Sequence, residues 1–298
     1  MKELGKIILY LLATVVLGAL LASPLYWGAQ WLAGLGILPW LAEFPYRKFF
    51  HRGLLVAAIV LLWPTARWLS IPSVAELGLQ RNPRRWNDLA FGFAASFLVM
   101  VVLAIALIYF DVYRVRSTIH WNQLLKVATS AVVVSLLEEG LFRGAILGLL
   151  VRTMAWRPAL FWVSAIYSIV HFLKPEQHLP ADHTIGLFTG FLLIPGAFGQ
   201  FQEPWLVLGG FVTLFLVGWI LGWTRIRLNS LWMAIGLHAG WIFGTMGFTK
   251  IGRRHVKEML PWLGQNLNVG IISIFMVLLT GVIVWWWITR RRAPAASS

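Results

Sequence analysis

Eight stretches of this chain, at about 7–23, 53–70, 89–110, 127–151, 158–173, 205–223, 230–248 and 269–289, run for roughly twenty residues each with almost no charge. An α-helix of that length crosses the hydrocarbon core of a bilayer. With no water there to satisfy peptide groups, the spanning elements must be helices or a closed barrel. The expected fold class is all-α: a polytopic integral membrane protein with about eight transmembrane helices and a polar intramembrane site. Residues 1–298 read as a single transmembrane domain. Composition agrees, with 59% hydrophobic and only 12% charged residues and a mean hydropathy of +0.76. The 18 tryptophans suit headgroup anchoring.

The start of the chain, Met1 to Lys6 before an apolar run, has the outline of a signal peptide. The run to about Ala22 is long for one, and a retained first helix is expected. Segments 25–42 and 184–199 are apolar but broken by Pro24, Pro39, Pro195 and glycines. They read as re-entrant or interfacial pieces, with a ninth span as the alternative. With both termini inside, 13 basic residues fall on the inner side and 11 on the outer. That is a weak positive-inside bias, so helix parity carries the orientation as much as charge does.

The formal charge of +14 raises nucleic acid as a partner. The basic residues, however, lie in short clusters flanking apolar runs, which points to membrane lipid and against nucleic acid. The absence of cysteine excludes disulfides, thiolate zinc sites and a cysteine nucleophile.

Between Lys126 and Arg152 the only charges are Glu138, Glu139 and Arg143. Ionisable groups inside an apolar span cost a few kcal/mol each and mark functional sites by default. Glu139 and Arg143, spaced i, i+4, are expected to pair on one helix face. Glu138 projects about 100° away and is expected to face something else. Gly140, Gly144 and Gly148 read as a small-residue packing ridge, as do Gly218 with Gly222, and Gly236, Gly240 and Gly244.

The next span carries His171. Glu138 lies 14 residues before Arg152, and His171 lies 14 after Arg157, on either side of a short connection. Each is therefore about 21 Å from the shared turn. Antiparallel neighbours would hold the carboxylate and the imidazole at one depth. The seventh span adds His238, about 16 Å from Arg227 and within a turn of the same level.

The pattern Glu138-Glu139-x-x-x-Arg143, then Tyr167-x-x-x-His171, then Ser230-Leu231-Trp232 leading to His238, resembles the CPBP (also called ABI) family of membrane proteins. That family includes CAAX prenyl endopeptidases and bacteriocin-processing or self-immunity proteins. The resemblance covers about residues 121–248. It implies an intramembrane endopeptidase of a bacterial inner (plasma) membrane, acting on a peptide or membrane-protein substrate. By resemblance, Glu138 and His171 activate water, Glu139 and Arg143 support the site, and His238 binds the developing oxyanion. The family places Asn or Asp four residues after that histidine, whereas this chain has Ile242. Trp241 or Thr245 are the substitutes at hand. Tyr167 stands where the family has phenylalanine.

Alternatives stay open. No cofactor is expected, although His171, His238 and a glutamate form a two-histidine, one-carboxylate set of the kind that binds zinc. Against zinc, there is no His-Glu-x-x-His and the ligands would come from three helices. The Ile242 departure also fits an inactive adaptor or immunity protein. A proton relay or transporter would predict an internal repeat, and none is evident. His178, Asp182 and His183 read as a solvated loop. The basic stretch Gly78 to Trp86 reads as an amphipathic surface loop or a charged turn. His51, His120 and His255 are expected in the headgroup zone, and Trp285 to Trp287 as an interfacial belt.

Overall fold

The computed structural model describes residues 2–68, 82–172, 184–196, 204–257, 259–264 and 266–291. His178, Asp182, His183 and the basic stretch before Asn82 lie outside these residues. In chain order the helices are α1 (Lys2–Gly34), α2 (Tyr46–Trp68), α3 (Arg85–Tyr109), α4 (Trp121–Glu138), α5 (Leu147–Thr153), α6 (Trp156–Phe172), α7 (Pro204–Leu228), α8 (Trp232–Ile251) and α9 (Ile271–Arg291). A π-helical segment, Glu139–Ile146, joins α4 to α5 without a break. Over their described residues the eight expected runs are helical almost throughout, and the protein is an all-α polytopic membrane protein. Among the described residues, five helices are long and apolar enough to cross a membrane: α1, α2, α3, α7 and α9. The others, α4 through α5, α6 and α8, carry all five of the ionisable site candidates.

The chain divides into two compact units. The first comprises residues 1–72 and 169–203, the second 73–168 and 204–298. In the first unit, α1 extends well past the expected end near residue 23, through Pro24 to Gly34. Proline removes a single backbone hydrogen bond and is tolerated in helices of this kind. The segment 25–42 is therefore mostly helix rather than re-entrant, and closes on a 3₁₀ turn at Pro39–Leu41. Ala19, Ala22, Tyr46, Phe50 and Leu193 form this unit's core. The Ser23 hydroxyl, 2.6 Å from the Tyr46 hydroxyl, donates to the Gly186 carbonyl at 2.7 Å.

The second unit is organised around α8, which is buried continuously from Met233 to Trp241. A helix apolar on all sides belongs in a core. Its Gly236, Gly240 and Gly244 let it press against α3; a Cβ at Gly240 would collide with Ser96 and the Phe93 carbonyl. The predicted ridge on the glutamate helix is not borne out at Gly140, where a Cβ would meet nothing within 4 Å. At the far end, Asp88 on α3 is buried and takes an ion pair from Arg291 at the end of α9. The Asn82 amide donates to Asp88 at 2.9 Å. Trp287 stacks on Phe91 with ring centroids 3.9 Å apart, so this tryptophan packs inward, while Trp285 and Trp286 are exposed. A short antiparallel pair, β1 (Tyr113–Val115) with β2 (Gly252–Arg254), ties the α3–α4 connection to the end of α8.

Candidate active site

The glutamates sit where the helix changes its winding. Glu138 ends α4, and Glu139 opens the π-helical segment. Gly140 and Gly144 lower the preference for regular α geometry there, and π segments inside helices concentrate at functional sites. Despite the altered winding, the i, i+4 pair forms as expected. Arg143 Nη1 donates to Glu139 Oε1 at 2.8 Å, with both side chains fully buried. The guanidinium also lies 4.2 Å from the centre of the Tyr167 ring, an arrangement that lowers the cost of burying the cation.

His238 joins this pair from α8. Its Nδ1 lies 2.8 Å from Glu139 Oε1, the same oxygen that receives Arg143. A carboxylate oxygen only accepts, so Nδ1 carries the proton and Nε2 is left with its lone pair, or with a second proton when the ring is charged. Nε2 is 3.9 Å from Glu138 Oε2. Glu138 thus faces the second nitrogen of the ring whose first nitrogen Glu139 holds. The two carboxylates differ in setting: the Glu139 side chain is fully buried and that of Glu138 is 25% exposed.

Tyr167, on α6, completes the cluster. Its hydroxyl is 3.5 Å from His238 Nε2 and its ring meets Phe142 edge-on at 5.1 Å. In the sequence Tyr167 stands out only as a mild departure from a motif. A buried hydroxyl one helical turn before His171 was the available signal. His171 itself lies on the last turn of α6, half-buried, among residues that group with the first unit. Only Met154 and Ala155 separate α5 from α6, so the connection is as short as the depth argument requires.

The residues near Ile242 differ in what they offer. The Thr245 hydroxyl donates back to the Trp241 carbonyl at 2.7 Å, so its hydrogen is already committed. Trp241 is buried, and its Nε1 has no hydrogen-bond partner among the described residues. Among those residues no three His, Asp or Glu side chains converge as metal ligands. The carboxylate of Glu139 is engaged with a guanidinium and an imidazole nitrogen.

Carboxylates, a guanidinium and an imidazole buried together on separate helices define a polytopic membrane protein with a built ionisable site. Residues 120–244 match the family described as type II CAAX prenyl endopeptidase Rce1-like. This match agrees with the CPBP, or CAAX-protease, resemblance of the motifs. It spans α4 through α7 and most of α8, and leaves α1 to α3 and α9 outside. No curated protein and no solved structure gives a significant match to the chain.

Proposed function

We propose that this protein is an intramembrane endopeptidase that hydrolyses a peptide bond by direct attack of water, with Glu138 as general base. The observation that carries this reading is the His238 ring, held through Nδ1 at 2.8 Å by Glu139 and presenting Nε2 to Glu138 at 3.9 Å. Glu139, charge-compensated by Arg143, fixes the ring's tautomer and orientation, the role an outer carboxylate plays toward a working histidine. Glu138 has more access to solvent than Glu139, which suits it to take a proton.

In the proposed reaction the water oxygen adds to the scissile carbonyl carbon as its proton moves to Glu138. The resulting oxyanion is met by the Nε2–H of His238 in its doubly protonated, imidazolium form, whose charge Glu139 balances, and, in place of the family's Asn or Asp, by the Trp241 indole N–H. Collapse breaks the C–N bond, and Glu138 returns the proton to the leaving amine. His171 shares the activation of water by family resemblance and by its depth in the sequence. No acyl-enzyme forms, and neither serine nor cysteine takes part.

One observation favours a second reading, a membrane adaptor or immunity protein: Ile242 cannot donate the hydrogen bond that family members draw from that position. Comparing new peptide N-termini in membranes of cells lacking the protein, complemented with wild type or Glu138→Gln, separates the two. Cleavages that depend on wild type establish the protease and identify its substrate. Equal rescue of a phenotype by both forms, with identical N-termini, leaves the binding role.

A further inference from the structure

A cavity of about 660 Å³ opens in the second unit between the β1–β2 pair, the start of α4 and the end of α8. Arg114, Arg116, His120, Gln123, Lys250 and Arg253 line it. Arg114 and Arg253 stand directly opposite each other across the strand pair, where like charges destabilise a sheet. Arg114 is answered by Asp111, which accepts from its Nε and Nη2 at 2.7 Å each. Arg116, Lys250 and Arg253 have no acidic partner among the described residues. Four cations against one carboxylate leave an excess of three positive charges around one concave, solvent-accessible space.

The neighbouring Arg254 shows what a structural arginine looks like here. Its guanidinium is spent on the carbonyls of Val256, Leu263 and Gly264. The cavity's arginines, other than Arg114, have no such engagement. Exposed aromatic residues flank the lining residues in sequence: Tyr109 and Phe110 at the end of α3 and Trp121, next to His120, are 81%, 72% and 73% exposed. Exposed aromatic rings at helix ends of a membrane protein mark the headgroup layer. Lining residues so close in sequence to these rings place the cavity at the depth of lipid phosphates.

We propose that this cavity is a binding site for the phosphate of an anionic membrane lipid, held by Arg116, Lys250 and Arg253, with the acyl chains running beside Trp121 and the exposed face of α3. It is a second site: along α8, Lys250 lies 12 residues, about 18 Å, from His238. The proposal does not depend on the catalytic reading.

Purified full-length protein in detergent is mixed with phosphatidylglycerol, phosphatidylcholine of the same chains, or glycerol 3-phosphate, and retained ligand is read by native mass spectrometry. Wild type is expected to retain phosphatidylglycerol at least tenfold better than phosphatidylcholine, and to ignore glycerol 3-phosphate. Each cation near such a surface is worth about fivefold in affinity. Arg253→Gln should therefore lower retention several-fold, and the triple change Arg116→Gln, Lys250→Gln, Arg253→Gln should abolish the preference. Arg47→Gln, Lys48→Gln, Arg52→Gln, which removes three cations from α2, should leave it intact. Unchanged retention in both cavity variants, or an equal loss in the α2 variant, overturns the site. Retention of glycerol 3-phosphate as strong as that of the lipid overturns the lipid as its source.

Discussion

Glu139 meets His238 through Nδ1 at 2.8 Å across 99 residues of sequence, and the oxygen that does so also receives Arg143. One carboxylate oxygen thus neutralises a buried cation and sets the protonation of an imidazole. Both tasks need the charge, so the residue has no neutral substitute.

Glu139→Gln leaves the Arg143 guanidinium buried without its counter-charge. Breaking a buried pair from one side costs about 3–5 kcal/mol, and a loss of that size should appear in thermal unfolding of the detergent-solubilised protein. Glu138→Gln should unfold much closer to wild type, while cleavage falls by about two to four orders of magnitude, the range for losing a general base. Equal destabilisation by the two changes would contradict the division of labour drawn here.

Tyr167 can be divided into ring and hydroxyl. Tyr167→Phe keeps the ring against Arg143 and Phe142, restores the family's residue, and should change cleavage by less than about tenfold. Tyr167→Ala removes a fully packed aromatic and should destabilise by about 3–5 kcal/mol. Chemical or thermal unfolding reads the difference.

If the Trp241 indole serves the oxyanion, Trp241→Phe should lower kcat by about two to three orders of magnitude with KM little changed. Ile242→Asn, in the same background, should recover part of the loss by supplying the family's donor. Wild-type turnover in Trp241→Phe would remove Trp241 from the mechanism.

The two glycine patterns should separate cleanly. Gly240→Val drives a side chain into Phe93 and Ser96 of α3 and should cost about 1–3 kcal/mol or more. Gly140→Ala meets open space, so any stability change should stay within about 1 kcal/mol. Unfolding midpoints of the two variants check this.

At the β1–β2 pair, the Arg114 guanidinium hydrogen-bonded to Asp111 holds this carboxyl below its ordinary 3.8. A carboxyl depressed in the folded state contributes above its unfolded value, and the contribution is lost as pH falls through the folded one. The protection of the Tyr113 to Val115 amides, relative to their intrinsic exchange rates, should therefore hold at neutral pH and fall only under acid conditions below that ordinary value. Asp111→Asn should remove the acid-side change.

The helices and the membrane were legible in the sequence because both follow from local apolar length. The Glu139–Arg143 pair was legible because an i, i+4 spacing places two side chains together whatever surrounds the helix. The family motifs named Glu138, Glu139, Arg143, His171 and His238 as candidates. The continuation of α1 through Pro24 was missed, since one lost hydrogen bond is small beside the apolar contacts that hold the rest of that helix. Only tertiary packing decided that His238 stands between the two glutamates and that Tyr167 joins them. It also decided that Gly240 and not Gly140 is the close contact, and that residues 114–116 and 250–253 share a basic cavity. These relations join positions tens to more than a hundred residues apart. They depend on how deeply one helix seats against another, which no periodicity within a single helix records.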